Sequence, residues 1–502
     1  MRRPGRPAIR VAFLVASLYG PVAPATDSLL AQSLSGRLTR LLDAPGFERH
    51  QWGVVVLDTT GKVLFERNGT RLFVPASNTK LLVSAAAAAL LPPDSRVATS
   101  VYGTGPVTNG VLRGDLVLYG RGDPTWSRRC FGADTARAGV CERDPMTRVR
   151  ELASRIRASG IRTITGAIVG DGSFFEPTVL HESWEQGDLV WWYAAPVSAL
   201  AFNDNSVDIR WGPGDSVGAP GRISATPAFG DLVLENRTRT TAADSGFALD
   251  IGGDRDQHRL WALGRMALGR PERTSFVALP DPNRYAAVAL RAALAEAGIA
   301  VLGPTLSTTD SLRYRSAREA TPIAEIESRP LREWLVPILG PSQNLFAEML
   351  LKQLGRRFGG EGSWRSGLMV ERRFLIDSVG LDSTQLAPRD GSGLSHGNVV
   401  SPMAFAKLLL WMRRHPNFAA FADALPVAGR SGTIERRMVA TPVEGRVFAK
   451  TGTIFRVNAL SGYVTLPKGR IRVFSILTNN HDLGGAAINR QIDSLVVEIG
   501  RQ

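Results

Sequence analysis

The sequence predicts an α+β protein of several domains, in which helix-and-strand segments near the two ends enclose a β-rich middle. Three observations point there. A chain of 502 residues exceeds a single core at roughly 100 to 200 residues per domain. Apolar residues at the two ends recur with helical or strand period. Between about Val97 and Pro304 the pattern breaks into short β-like runs punctuated by Gly, Pro and Asp, as inserted material would. With 44% hydrophobic and 21% charged residues, the chain has apolar material for packed cores and no lean toward disorder or fibrous repeats.

The first 25 residues read as an export signal: Arg2, Arg3, Arg6 and Arg10 with no acid, an apolar stretch from Val11 to Leu18, then Ala23-Pro24-Ala25 as a small-x-small cleavage site. The mature chain is therefore expected outside the cytoplasm, in the periplasm, and no later apolar run reaches the roughly 18 residues of a membrane span. Ser28 to Leu42 carries Leu29, Leu30, Leu34, Leu38, Leu41 and Leu42 at helical spacing. Val54 to Asp58 and Val63 to Glu66 flank Thr59-Thr60-Gly61-Lys62 as a hairpin, and Ser77 to Leu91 is a helix stopped by Pro92-Pro93. In the middle, Val101 to Tyr102, Asp115 to Tyr119, Ala167 to Val169, Ser206 to Trp211 and Gly230 to Glu235 are strand candidates. Cys130 and Cys141, close together in an exported chain with no histidine nearby, suit a disulfide that staples a loop. Asn283 to Ala297 is helical, as are Asn344 to Leu354, Pro402 to Arg414 and Ala487 to Ile499. Val447 to Gly452 is a strand, and Asn458 to Leu466 and Arg470 to Leu477 alternate across the turn Pro467-Lys468-Gly469. The expected organisation is a signal at 1–25, a discontinuous domain of 26–96 and 305–502, an inserted domain of 97–203 and 277–304, and a nested β-rich subdomain at 204–276.

A formal charge of +14 would suit an anionic partner, but the basic residues are dispersed with no dense Lys/Arg run, so nucleic acid is not an expected partner. Six histidines and no His-Glu-x-x-His leave a zinc site without ligands, and no Gly-x-Ser-x-Gly elbow supports a histidine-based triad. Lysine is the better lead. Of 60 Lys and Arg only six are lysine, and unlike arginine a desolvated lysine can act as a base. Lys80 lies three residues after Ser77 at a helix start, on the same face, where the helix dipole disfavours an ammonium. Two further elements follow: Ser342-Gln343-Asn344 before a helix and Lys450-Thr451-Gly452 on a strand, with Thr453 next. Taken singly, Ser77 and Ser342 could be helix caps and Lys450 an edge-strand charge. The ordered set Ser-x-x-Lys, Ser-x-Asn, Lys-Thr-Gly is close to the signature of serine β-lactamases and penicillin-binding proteins.

On these motifs the chain resembles the exported D-alanyl-D-alanine carboxypeptidase/endopeptidases among the low-molecular-mass penicillin-binding proteins (class C, the DacB type). Tyr119-Gly120-Arg121-Gly122-Asp123-Pro124, Ala195-Pro196-Val197-Ser198-Ala199-Leu200 with Asn203 and Asn205, Asp390-Gly391-Ser392-Gly393-Leu394-Ser395, and Leu425-Pro426-Val427-Ala428-Gly429 ahead of Ser431-Gly432-Thr433 extend the likeness along nearly the whole mature chain. The 261 residues between Lys80 and Ser342 match a family that interrupts its transpeptidase-like domain at that point, whereas a compact class A β-lactamase has no such room. The resemblance implies a transpeptidase/β-lactamase-like domain, an antiparallel sheet flanked by helices, carrying β-rich insertions. It also implies peptidoglycan stem peptides as substrate, β-lactams as covalent inhibitors, and no metal or cofactor. Ser77 would be the nucleophile and Lys80 its base. Ser342 would relay a proton to the leaving amine, Asn344 would hold the substrate backbone, and Lys450 would supply positive potential. Thr451, Gly452 and Thr453 would line the carboxylate end, and the N–H groups of Ser77 and Thr453 would form the oxyanion hole. Asp171 is a candidate for the stem peptide's side-chain amine, or a turn aspartate. Ser392 and Ser395 share that ambiguity, since Asp-Gly-Ser-Gly is also what a tight loop looks like. A weakly catalytic wall-binding protein and a β-lactamase or esterase remain open alternatives.

Overall fold

The computed structural model describes residues 33–128, 144–229, 232–254 and 259–501. The export signal and the Cys130/Cys141 pairing lie outside the described residues. The expected α+β architecture is present. Its centre is an antiparallel sheet of five strands in the order Val63–Arg67, Gln51–Asp58, Ile471–Asn479, Val457–Thr465, Val447–Ile454. Strands from the beginning and the end of the chain therefore meet in mid-sheet.

This sheet is buried on both faces, so its central strands are near-continuous apolar runs rather than alternating ones. Val54 and Val56 face one core with Leu38 and Leu42 of the Leu34–Leu42 helix and Ile488, Ile492 and Leu495 of the Gly485–Ile499 helix. Val55 and Leu57 face the other, with the Lys80–Leu90, Asn344–Phe358 and Pro402–Met412 helices. The alanine run at Ala85 to Ala88 lets neighbouring helices approach the Lys80–Leu90 helix closely, and all four residues are buried. Ser33, Ser363 and Ser401 cap the helices that follow them through their side-chain oxygens.

The middle of the chain builds other layers. A second five-stranded sheet runs Thr305–Thr308, Ile168–Asp171, Leu116–Tyr119, Ala98–Gly103, Ala324–Glu327. Residues 305–308 and 324–327, which lie past the expected boundary at residue 304, pair into this sheet and carry it to residue 327. Two helices cover it, Pro282–Glu296 and Thr147–Ala158; the latter was not expected. Two three-stranded sheets follow from 206–278, ordered Arg222–Thr226, Ser206–Gly212, Arg273–Ala278 and Val233–Thr241, Arg259–Ala267, Ala248–Asp254. Among the described residues no helix is long and apolar enough to cross a membrane.

Candidate active site

Three segments converge beside the edge strand of the central sheet. Ser77 sits in a tight helical turn, Ala76–Thr79, that runs straight into the Lys80–Leu90 helix. Ala76 takes a left-handed φ of 47° to make that entry. The strand Val447–Ile454 is laid flush against the turn: Asn78 Nδ2 donates to the Lys450 carbonyl at 3.1 Å. A Cβ on Gly452 would lie 2.5 Å from the Pro75 carbonyl oxygen, so only glycine permits this approach. On the other side, a Cβ on Gly393 would come within 1.9 Å of the Ala76 carbonyl oxygen, and its φ of +82° also requires glycine. The third segment enters at Ser342, left-handed at φ 72°, just before the Asn344–Phe358 helix.

Within this frame Lys80 is wholly buried and its amine has three partners: Ser77 Oγ at 2.9 Å, Asn344 Oδ1 at 2.7 Å and the Ser392 carbonyl at 2.6 Å. Asn344 is oriented because its Nδ2 donates to the Tyr193 carbonyl at 2.7 Å. Asn344 Oδ1 and the Ser392 carbonyl can only accept, and two N–H bonds satisfy them. In the neutral form of the amine the third direction holds the lone pair, aimed at the Ser77 hydroxyl. Burial lowers the Lys80 pKa to about 7; Glu348 and Asp390 pull the other way.

Lys450 makes a parallel pair with the second serine. Its amine donates to Ser342 Oγ at 2.8 Å and to the Thr451 carbonyl at 2.7 Å. Burial, and then the nearby charge of Lys80, holds it well below the usual lysine range. Thr451 and Thr433 are joined hydroxyl to hydroxyl at 2.8 Å, while Thr453 is exposed at the rim with Asn458 Nδ2 3.3 Å from its Oγ1. Gln343 turns away from the site: it caps the helix at Leu345 N–H and donates to Asp204 at 3.1 Å. Gln343, not Ser342, is the cap, which frees the Ser342 hydroxyl.

The structure thus brings Ser77, Lys80, Ser342, Asn344 and Lys450 into one hydrogen-bonded cluster, with Thr451, Gly452 and Thr453 along its edge. Asp171 stands apart. It ends the strand Ile168–Asp171, fully buried, and its carboxylate is taken by the Arg318 guanidinium and the Ser173 N–H. The expected contact with a substrate amine would therefore have to share this carboxylate with Arg318. Asp390 is the framework of the tight loop, accepting from Gly393 N–H, Ser395 N–H, Asn398 and Trp184. Ser395 accepts from Ser183. Ser392 enters the site through its carbonyl. Tyr193 and Glu348 were missed: Tyr193 acts through its backbone, which leaves no sequence signal, but Glu348 lies four residues after Asn344 on the same helix face.

The D-Ala-D-Ala carboxypeptidase 3 (S13) family is matched over residues 34–499. A D-alanyl-D-alanine carboxypeptidase from Actinomadura sp. is 33% identical over 486 residues, covering 92% of this chain and 86% of that one. The D-alanyl-D-alanine carboxypeptidase DacB of Haemophilus influenzae is 24% identical over 435 residues, 84% of each chain. The crystal structure of penicillin binding protein 4 (dacB) from Haemophilus influenzae shares the fold, with a TM-score of 0.80 at 22% identity over 93% of this chain and 99% of that one. Its complex with a β-lactam gives 0.75.

Proposed function

Since the chain belongs to the D-Ala-D-Ala carboxypeptidase 3 (S13) family and is a serine-type hydrolase, we propose that its five clustered residues cleave the bond after a D-alanine in peptidoglycan stem peptides through an acyl-enzyme on Ser77. The observation that carries this reading is the buried Lys80 amine, held 2.9 Å from the Ser77 hydroxyl by two fixed acceptors, with burial lowering its pKa to about 7.

Ser77 Oγ attacks the carbonyl carbon of the penultimate D-alanine while its proton passes to Lys80 Nζ. The N–H groups of Ser77 and Thr453 stabilise the resulting oxyanion. The terminal carboxylate meets Thr451 and Thr453 and supplies the counter-charge that favours a proton on Lys450. Once Lys80 is charged, like-charge repulsion disfavours the proton on Lys450. That proton leaves through the Ser342 hydroxyl to the departing amine as the C–N bond breaks. Lys80 then loses the proton it took and Lys450 regains one, which returns both amines to their starting forms; water adds to the acyl carbon, giving its proton to Lys80, and Lys80 passes that proton to Ser77 Oγ as the acyl–oxygen bond breaks. Asn344 orients Lys80 and, with Tyr193, forms the wall against which the peptide lies.

A terminal D-alanine as leaving group makes this a carboxypeptidase; a crosslinked D-amino acid makes it an endopeptidase. Weighing the products of crosslinked and uncrosslinked muropeptides separates the two. The reading places the enzyme in the periplasm, with residues 1–25 as export signal and Cys130 and Cys141 paired there, and makes β-lactams covalent inhibitors. Fluorescent penicillin should label the protein, and Ser77→Ala should abolish labelling with the thermal midpoint little changed; a labelled alanine variant overturns the assignment.

A further inference from the structure

Glu348 lies one turn beyond Asn344 on the same face of its helix, wholly buried. Its two oxygens take three N–H groups: Oε1 accepts from Ser392 N–H at 2.7 Å, and Oε2 from Gly391 N–H at 2.9 Å and Trp364 Nε1 at 2.8 Å. Ser392 is therefore gripped by its amide while its carbonyl holds the Lys80 amine. We propose that Glu348 is a positioning residue for Lys80: it clamps the Gly391–Ser392 segment so that the Ser392 carbonyl fixes one N–H of the amine, and it sets a negative charge behind that amine. This rests on Lys80 being the base, and adds what aims that base and how readily it gives up a proton.

The charged groups around the pair come from several elements. Lys80 faces Glu348, Asp390 and Lys450. Glu348 faces Asp390, Glu371 of the Trp364–Arg373 helix, Lys352 one turn on, and Lys80 itself. Glu371, buried with no hydrogen-bond partner on either oxygen, is held well above the carboxylate range by that burial, with Glu348 and Asp390 pushing the same way. Burial raises Glu348 to about 7, with Asp390 pushing the same way and the N–H bonds opposing. The Glu348 charge raises the Lys80 pKa, so the acid limb of acylation carries its mark. Removing the anion makes the free amine available at lower pH.

The test is the rate of acylation by fluorescent penicillin against pH in the full chain. In Glu348→Gln the acid limb should move down by about one unit, and the plateau should fall about tenfold or more as the clamp is lost. Glu348→Asp keeps the charge, so its limb should stay while the plateau falls. Trp364→Phe removes one donor to the carboxylate and should move the limb the same way by less. An unmoved limb in a folded Gln variant overturns the inference, as does a purely lower plateau, which is what a structural Glu348 would give. If the Gln variant does not fold, an unmoved limb in Trp364→Phe overturns it. Normal acylation by Lys80→Arg would instead overturn the base assignment, so the two failures are distinct.

Discussion

Lysine outranks arginine at this site because only an amine can be emptied of its proton near neutrality. Desolvation opposes the charged form of Lys80 and brings it to about 7, so the base form grows as pH rises through that value. Acylation of the wild type should therefore climb by roughly tenfold per unit below pH 7 and level off above it. Stopped-flow acylation from pH 5.5 to 9 checks this, and Lys80→Arg should be inactive at every pH despite keeping a cation. The Ser77–Lys80 pair was legible from the sequence because three residues along a helix place both side chains on one face. The Ser342–Lys450 pair was legible only through its motifs, since contact across 108 residues leaves no local period. The pairing of Asp171 was not legible for a related reason: Gly-Asp-Gly-Ser looks like an open turn, and nothing nearby reveals Arg318, 147 residues on.

At the scale of elements, the site depends on how closely a strand, a turn and a loop approach. Gly452→Ala keeps an ordinary strand conformation but drives a methyl against the Pro75 carbonyl, so the strand must move off the Ser77 turn. Acylation should fall by about a hundredfold for a displacement near 1 Å, with a modest drop in thermal midpoint. Gly246→Ala, which meets nothing within 4 Å, should do neither. The central hairpins and the helices at Asn344 and Pro402 were read from the sequence to within a few residues, because their apolar periods are clean. Thr147–Ala158 was overlooked although Val149, Leu152, Ala153 and Ile156 mark one buried face; four arginines within those twelve residues masked the stripe. The Leu331–Leu339 and Trp364–Arg373 helices were missed as well. A proline inside the first and a glycine inside the second weaken their local signal.

Across the whole molecule, the inserted layers act on the site by support. Tyr193 braces Asn344, Asp204 braces Gln343, and Lys352 reaches Glu176 at 3.1 Å and the Thr178 carbonyl at 3.0 Å. Asp171 belongs to the same support, so Asp171→Asn should lower stability by about 3 kcal/mol, the cost of leaving Arg318 unpaired in a largely buried position. Denaturant unfolding measures that loss. Any effect on rate should be equal for a small acyl ester and for a stem peptide. A selective loss on the peptide would instead restore Asp171 as a substrate contact. The change of texture along the middle of the chain was legible in the sequence. Where it ends was not, because Thr305–Thr308 and Ala324–Glu327 are short strands whose partners lie far upstream.

The meeting of Gln51–Asp58 with Ile471–Asn479 also governs the order of assembly. Asn479 bonds Val74 across 405 residues, so the apolar run Val54 to Leu57 emerges early in synthesis and waits for its central neighbour until almost all the chain has followed. Pairing at such separation is slow, and an unpaired strand is exposed to wrong partners meanwhile. The inserted sheets find their strands within a shorter stretch of chain and can form first. The layer that carries Ser77 is then the last to close, and the Ser77–Lys80–Lys450 cluster is complete only when the final strands arrive.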